Sequence, residues 1–301
     1  MLSIVVVGYD MDRELPRTLF SLGSDFQRGI EADDYEVIVV DNGSPNPVPN
    51  RWADAFAGNL RIERLDPAPQ SPVRAANHGL ACARGDLIGL LVDGARLASP
   101  GLLAGARRAV SLAARPVITA PAFHLGDATH MRAVERGYDQ AVEDELLAGC
   151  GWEQDGYRLF AISTPAGSSG RGLFGPMGES SSLFASRQIW DELAGMDESF
   201  ALPGGGLANH DLYLRACSRP DVELIVMLGE GTFHQYHGGA ATSRTFSWDE
   251  MQADYENVRG TPHRSPTNNP LFVGHLPRSA LGYVERSAAQ ARHHFTHSDE
   301  W

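Results

Sequence analysis

Short apolar runs alternate with amphipathic segments over the first 121 residues. Predominantly apolar runs cover Ser3–Gly8, Tyr35–Val40 and 86–92, and such runs are typical of strands that are covered on both faces. Between them, residues 13–23 and 71–85 carry apolar side chains at helical spacing and end in glycine. Strands that alternate with helices predict an α/β fold with a parallel, doubly wound sheet.

The pattern changes after residue 121. Residues 134–149 are acidic with helical spacing, residues 156–163 favour a strand, and residues 164–178 are rich in glycine and serine. From about Thr245 the chain is polar and predicts helices. No stretch is long or polar enough to separate two domains, so we expect one domain with a helical C-terminal extension.

Composition argues against several classes of protein. The 301 residues carry a net charge of −13 and contain no lysine, which makes nucleic acid and anionic membranes unsuitable partners. Three widely spaced cysteines form neither a disulfide framework nor a zinc pattern. No apolar run reaches the ~18 residues of a transmembrane helix, and the N-terminus lacks the basic region of a signal peptide. We therefore expect a cytoplasmic protein without a transmembrane segment.

Polar residues follow three of the predicted strands. Gly8 and Tyr9 follow the first, Asp41 lies in the loop after the second, and Asp93 follows the strand at 86–92. Ligands of open α/β sheets bind at these carboxyl ends. A carboxylate can accept the imide N–H of a uracil- or thymine-type base, and an aromatic ring can stack on that base. The first turn, VGYDMD, is not a dinucleotide fingerprint, and a P-loop requires lysine, which the chain lacks. The phosphates of a bound nucleotide must therefore be held by arginine or by a metal ion.

Six segments carry a resemblance to a known family. In chain order they are SIVVVGYD with LPRTLFSL, EVIVVDNGS, RAANHGLACARGDLIGLLVDGA, LFASRQIWDELAGMDESF, NHDLYLRA and FHQYHGG. As an ordered set they resemble the nucleotide-diphospho-sugar transferases of the GT-A fold, in the large inverting glycosyltransferase family two. The resemblance implies a mixed sheet of seven or eight strands with flanking helices. It also implies a UDP-, GDP- or dTDP-sugar donor, a glycan or small-molecule hydroxyl acceptor, and Mn²⁺ or Mg²⁺.

The resemblance also divides the chain. A GT-A domain covers residues 1–244, of which 1–121 correspond to the half that binds the nucleotide-sugar and 122–244 to the half that binds the acceptor. The helical extension, 245–301, is rich in histidine and arginine, and we expect it to act as a homodimer element or as a solvated tail.

Five residues correspond to donor contacts of the family. Asp41 matches the aspartate that recognises the base, and Gly8 with Tyr9 lies beside the base. Arg74 lies near the basic position that precedes the helix asparagine, which is Asn77 here.

The segment VDGA stands where the family carries D-x-D. Asp93 matches the first aspartate, whereas Ala95 replaces the second, which usually binds the metal. The small Gly94 and Ala95 would let the backbone approach the sugar diphosphate closely. Arg96 could supply charge that the metal normally provides.

Two histidines follow a late strand. His237 matches the family's late histidine, and His234 lies three residues before it. We therefore expect Asp93, His234 and His237 as metal ligands, and two imidazoles favour Mn²⁺ over Mg²⁺, which prefers oxygen.

The family's catalytic base is replaced in this chain. Asn209 stands at the usual base position and cannot accept the proton, so we expect Asp211 to act as the base, with His210 and then Glu179 as alternatives. Glu179 and Trp152 are also the expected acceptor contacts. A retaining transferase would need no such base.

Two other functions are alternatives to a glycosyltransferase. A nucleotidyltransferase of the same fold would need a basic, glycine-rich loop after the first strand, and VGYDMD does not supply it. A non-catalytic nucleotide-sugar-binding protein is favoured by the carboxylates missing at Ala95 and Asn209.

Overall fold

The computed structural model describes residues 1–238 and 246–297 of the chain. The described strands are β1 (Leu2–Gly8), β2 (Tyr35–Asp41), β3 (Asn59–Arg64), β4 (Leu87–Leu91), β5 (Arg96–Ala98), β6 (Pro116–Thr119), β7 (Ala122–Leu125), β8 (Ser163–Pro165), β9 (Ser182–Ser186), β10 (Glu223–Leu228), β11 (Thr232–His234) and β12 (Leu271–Gly274). The described helices are α1 (Glu14–Leu22), α2 (Arg51–Ala55), α3 (Val73–Cys82), α4 (Leu102–Ala109), α5 (His130–Ala133), α6 (Gln140–Cys150), α7 (Arg187–Leu193), α8 (Ala208–Cys217), α9 (Trp248–Arg259) and α10 (Leu281–His297).

The main sheet has eight strands in the described part of the chain, in the order β12-β10-β6-β9-β4-β1-β2-β3. Neighbouring strands are parallel except at β9, which runs antiparallel to both β4 and β6. The mixed sheet with flanking helices is confirmed. The wholly parallel sheet suggested by the first 121 residues is corrected by β9, which comes from beyond that region.

Helices cover both faces of the main sheet. Successive side chains of a strand point to opposite faces, so Val5 packs with residues of α3, α7 and α8, whereas Ile4 and Val6 pack with α1 and α4. Burial of such an aliphatic side chain contributes about 1.5–3 kcal/mol. Helix α3 lies so close to the sheet that a Cβ at Gly79 would overlap Val5, which explains the glycine within this helix.

A second sheet lies beyond the carboxyl ends of the main sheet. Its order is β5-β11-β7-β8, and β5, β7 and β11 follow β4, β6 and β10 after short turns. Arg96, His234 and His124 are paired across neighbouring strands of this sheet. Because paired residues share a face of a sheet, these three basic side chains lie side by side where ligands of α/β folds bind.

Two predictions beyond residue 121 are corrected. Gly156–Ile162 forms 3₁₀ turns rather than a strand, because Asp155 caps its first turn and its apolar residues pack into a third core cluster. The predicted helical extension contains α9 and α10, but β12 between them pairs with β10 and extends the main sheet. The prediction for residues 298–301 lies outside the described residues. None of the described helices is long and apolar enough to cross a membrane.

Candidate functional site

Asp93 meets two histidines beyond the carboxyl end of β4. Its Oδ2 lies 2.8 Å from Nε2 of His234 and 3.4 Å from Nε2 of His237, and the two Nε2 atoms are 3.2 Å apart. The second sheet brings them together, because β11 ends at His234 and pairs with β5, which begins shortly after Asp93. We call these three residues the outer centre.

The outer centre fits a divalent ion. One ligand atom from each residue lies within 4.8 Å of the other two. An ion with bonds of about 2.1 Å holds neighbouring ligands roughly 3.4 Å apart, which is close to the 3.2 Å between the histidine nitrogens. One carboxylate and two imidazoles suit Mn²⁺ or a similar transition ion better than Mg²⁺.

The pKa values of Asp93, His234 and His237 determine which of them can bind a cation at neutral pH. Burial alone would raise the pKa of Asp93, but His237 and His234 outweigh it and hold this pKa well below its usual range. Burial lowers the pKa of His234 to about 4. The Asp93 carboxylate outweighs burial at His237 and raises the pKa of that histidine. At neutral pH Asp93 is therefore ionised and His234 is neutral, and the raised pKa of His237 means that protons compete with an ion for its ring nitrogen.

Arg96 places a positive charge beside the outer centre. It begins β5, and its Cα is paired with that of His234. Its Nε and Nη1 atoms are buried and have no hydrogen-bond partner among the described residues. Buried donors without acceptors are costly, and the planar guanidinium matches the oxygens of a phosphate. This geometry fits an anionic ligand such as a diphosphate.

Glu179 is a partly buried carboxylate beside Asn209 and His210. Its Oε2 accepts a hydrogen bond from Asn209 Nδ2 at 2.7 Å and lies 3.4 Å from His210 Nδ1. Burial would raise the pKa of Glu179, but the charges of His210 and Arg96 and the Asn209 hydrogen bond outweigh it, so the pKa lies below its ordinary value. The carboxylate is therefore ionised at neutral pH, and Asn209, at the family's base position, holds it in place.

Asp211 is not available as a base, contrary to the prediction. It is 1% exposed, and it accepts hydrogen bonds from Arg215 Nε at 2.7 Å and from Arg259 Nε and Nη2 at 2.6 and 2.7 Å. The two guanidinium groups occupy both carboxylate oxygens. Asp211 therefore ties α8 to α9, and the catalytic prediction for it is wrong.

Asp41 is the last residue of β2 rather than a loop residue, and it is 1% exposed. Its Oδ1 accepts the backbone N–H of Ser44 at 2.8 Å, and its Oδ2 lies 2.5 Å from Arg64 Nη1. The carboxylate thus holds the following loop, and contact with a base would require the exchange of one partner. Gly8 is paired with Asp41 in the sheet, and the neighbouring Tyr9 is 54% exposed. The base contact stays a prediction.

Gly94 and Ala95 are buried, and the close approach of their backbone to the sugar diphosphate stays a prediction. A Cβ at Gly94 would lie 3.0 Å from the Val7 carbonyl oxygen, which shows that the glycine makes room for the end of β1. Ala95 donates its N–H to Asp93 Oδ1 at 2.9 Å. These two residues shape the turn that directs Asp93 towards the histidines.

Three other predicted contacts have different surroundings. The side chain of Asn77 pairs with the Met196 backbone, through Nδ2 to the carbonyl oxygen at 2.9 Å and through Oδ1 to the N–H at 2.8 Å. Asn77 therefore joins α3 to the loop after α7, and the donor contact predicted for it stays a prediction. Trp152 is 4% exposed and packs against two phenylalanine rings, so the acceptor contact predicted for it is wrong. Arg74 lies exposed on α3, and its donor contact stays a prediction.

Two histidines near the outer centre were not predicted. His124 is paired with His234 in the second sheet, and His130 is fully buried at the start of α5. The position of His124 between Phe123 and Leu125 could have indicated a side chain on the polar face of a strand. No sequence signal identifies His130.

Comparison with known proteins agrees with this architecture. Residues 3–93, a segment that ends at the aspartate of the outer centre, match the family model described as Glycosyl transferase family 2. The matched segment and the mixed sheet together define the chain as a GT-A-fold protein that is similar to glycosyltransferase family 2. No curated protein sequence matches the chain.

Several solved structures are similar to the whole chain. S. aureus TarS 1-349 in complex with UDP-GlcNAc is 12% identical with a TM-score of 0.54, over 99% of this chain and 73% of that chain. The mannosyltransferase PcManGT from Pyrobaculum calidifontis, in complex with GDP-Man and Mn²⁺, is 14% identical with a TM-score of 0.51, over 99% and 76%. A longer S. aureus TarS structure is 11% identical with a TM-score of 0.53, and this chain spans 44% of its length. At these identities the likeness establishes the fold.

Proposed function

We propose that this protein is a glycosyltransferase that moves a sugar from a nucleoside-diphosphate sugar to a hydroxyl group of a glycan or small molecule. The observation that carries the proposal is the outer centre with Arg96 beside it, at the carboxyl ends of the strands. Two findings support it. The family match ends at Asp93, and similar structures are complexes with UDP-GlcNAc or with GDP-Man and Mn²⁺.

The donor diphosphate is assigned to the outer centre and Arg96. Asp93, His234 and His237 would hold the divalent ion, which supplies positive charge to the departing diphosphate. Arg96 can donate its Nε and Nη1 hydrogens to phosphate oxygens, which would satisfy donors that have no partner among the described residues. Tyr9, exposed after β1, offers a ring on which the base can stack.

Glu179 is the proposed general base. The acceptor oxygen forms a bond to the anomeric carbon, and the bond from this carbon to the diphosphate oxygen breaks with its electron pair. The hydroxyl proton passes to a Glu179 oxygen, while Asn209 keeps the carboxylate oriented. Attack on the face opposite the diphosphate inverts the anomeric centre.

Turnover of UDP-GlcNAc, GDP-Man and a dTDP-sugar with Mn²⁺ tests the proposal. Methyl glycosides serve as acceptors, and release of the nucleoside diphosphate is measured. We expect turnover of at least one donor and its loss in Asp93→Ala, whereas Asp86→Ala, a change of a carboxylate that is 97% exposed, should be active. Binding without turnover would support the non-catalytic nucleotide-sugar-binding protein, and the absence of any binding would refute both functions.

The stereochemistry of the product tests the role of Glu179 separately. NMR of the glycoside should show inversion at the anomeric carbon. Retention would leave the transferase proposal intact but remove the need for a base on the face opposite the diphosphate.

A further inference from the structure

A second group of imidazoles lies directly beside the outer centre. The rings of His124, His130 and His234 form a triangle, with centroids 4.4 Å apart for His124 and His130 and 5.2 Å apart for each of the other two pairs. One ring nitrogen from each lies within 4.8 Å of the other two. We call these residues the inner cluster. His234 belongs to both groups, because its Nε2 faces Asp93 and its Nδ1 is the other ring nitrogen.

Two ring nitrogen atoms of the inner cluster have a lone pair that accepts no hydrogen bond from the described residues. His130 Nε2 lies 3.2 Å from the carbonyl oxygen of Leu125, which can only accept, so this nitrogen carries the proton and Nδ1 keeps its lone pair. His234 Nε2 faces the ionised Asp93 in the same way. Both Nδ1 atoms are buried without a partner among the described residues. Two buried lone pairs without a donor are unfavourable, and one bound cation would satisfy both of them.

The spacing of the inner rings suits one transition-metal ion. Imidazoles bound at about 2.0–2.1 Å in a tetrahedral arrangement have ring centres about 5 Å apart. The outer pair provides a comparison within the same molecule, since His234 and His237 have centroids 5.2 Å apart and Nε2 atoms 3.2 Å apart. Two pairs of the inner cluster have the same centroid spacing of 5.2 Å, and the third, His124 with His130, is closer at 4.4 Å. A buried carboxylate, Glu143, lies 3.8 Å from His130 Nε2 and resembles the carboxylates that orient histidine ligands.

His124 is the ligand whose bonding must change. Its Nδ1 accepts the backbone N–H of His130 at 3.2 Å, so its neutral ring carries the proton on Nε2. An ion bound to His124 either replaces this hydrogen bond at Nδ1 or displaces the Nε2 proton to solvent. His124 is half-buried, whereas His130 is fully buried.

We propose that His124, His130 and His234 form a second metal site, which binds a borderline transition ion such as Zn²⁺ or Co²⁺. Three imidazoles without a carboxylate favour such ions over Mg²⁺ and Ca²⁺, which prefer oxygen. An ion on His234 Nδ1 fixes the orientation of that ring, with Nε2 towards Asp93. Because a neutral imidazole has a single lone pair, His234 binds ions at both centres only as a bridging imidazolate, after its second ring proton is lost. The inner site does not depend on the proposed transferase activity.

Cobalt titration of the full chain, freed of metal by chelation, tests this site. The starting protein carries both Asp93→Ala and His237→Ala, which remove two ligands of the outer centre and leave the inner cluster complete. We expect one Co²⁺ per chain with visible d–d bands. Adding His124→Gln should abolish the bands, whereas adding His275→Gln, a change of an exposed histidine, should leave them unchanged.

A variant of His130 and a thiolate-to-cobalt band provide two further tests of where the cobalt ion binds. His130→Gln, with folding checked by circular dichroism, should also abolish the d–d bands. Absence of cobalt binding in the starting protein would overturn the proposal, as would bands that survive both His124→Gln and His130→Gln. A thiolate-to-cobalt charge-transfer band would place the ion at the group of Glu63, His78 and Cys82 and would overturn it too.

Discussion

Asp211→Asn removes the charge that ties α8 to α9. The wild-type carboxylate accepts one hydrogen bond from Arg215 and two from Arg259, at 2.6 to 2.7 Å. Each charge-assisted bond contributes about 1.5–3 kcal/mol, and removing one partner of a buried ion pair costs about 3–5 kcal/mol. The two arginine side chains are 28% and 27% exposed, and Arg259 keeps Asp197 at 2.8 Å. Because solvent screens part of the loss, we expect the free energy of unfolding to fall by about 3 kcal/mol.

Urea unfolding and donor turnover separate a structural role of Asp211 from a catalytic one. The variant should unfold at lower urea than wild type, while its kcat, measured where it is folded, should change little. Asp191→Asn, a change of an exposed aspartate on α7, is the matched control and should alter neither quantity. Unchanged unfolding together with a kcat reduced by roughly 100-fold or more would show that Asp211 is the base and that our assignment to Glu179 is wrong.

Three further predictions concern the proposed site. Glu179→Gln keeps an acceptor for Asn209 but removes the base, so kcat should fall about 10²–10⁴-fold with donor Kd unchanged, whereas the exposed control Glu223→Gln should be fully active. Because the pKa of Glu179 lies below its ordinary value, its carboxylate is lost only at acid pH, and an activity loss as pH falls through roughly 6.5 would indicate a histidine base instead. Arg96→Gln should weaken nucleoside diphosphate binding by about 1.5–3 kcal/mol, and an unchanged Kd in calorimetry would contradict the diphosphate assignment. Because the pKa of His237 is raised, protons compete with the ion below that pKa, and Mn²⁺ affinity should rise with pH in calorimetry. His237→Ala should reduce this pH dependence, and an affinity independent of pH in wild type would argue against His237 as a ligand.

The main sheet was predictable because its central strands are encoded by local pattern. Runs such as Ser3–Gly8 are apolar after their first residue, and a strand covered on both faces buries every residue of such a run. Residues 156–163 were misjudged because their aromatic and aliphatic side chains are equally suited to 3₁₀ turns packed on a core. The strand β12 was missed because its four residues, Leu271–Gly274, are too few to show a period.

The site was predictable where position in the chain determines position in space. Asp93 follows a buried strand, and His234 and His237 follow a later one, so the ends of the sheets bring them together. Asp211 was misassigned because its partner Arg259 lies 48 residues further along the chain, and no local pattern reports such a contact. Trp152 was misassigned for the same reason, since its aromatic neighbours come from a distant part of the sequence.

Pulsed electron–nuclear double resonance on Mn²⁺ bound with UDP or GDP tests most directly whether the outer centre holds the donor diphosphate. We predict ¹⁴N couplings from both His234 and His237 and ³¹P coupling from the diphosphate on the same ion, with one nitrogen coupling lost in His237→Ala. A ³¹P coupling without ¹⁴N coupling would contradict the assignment of the donor to Asp93, His234 and His237. An ion that shows ¹⁴N couplings but no ³¹P coupling in the presence of UDP or GDP would contradict it too.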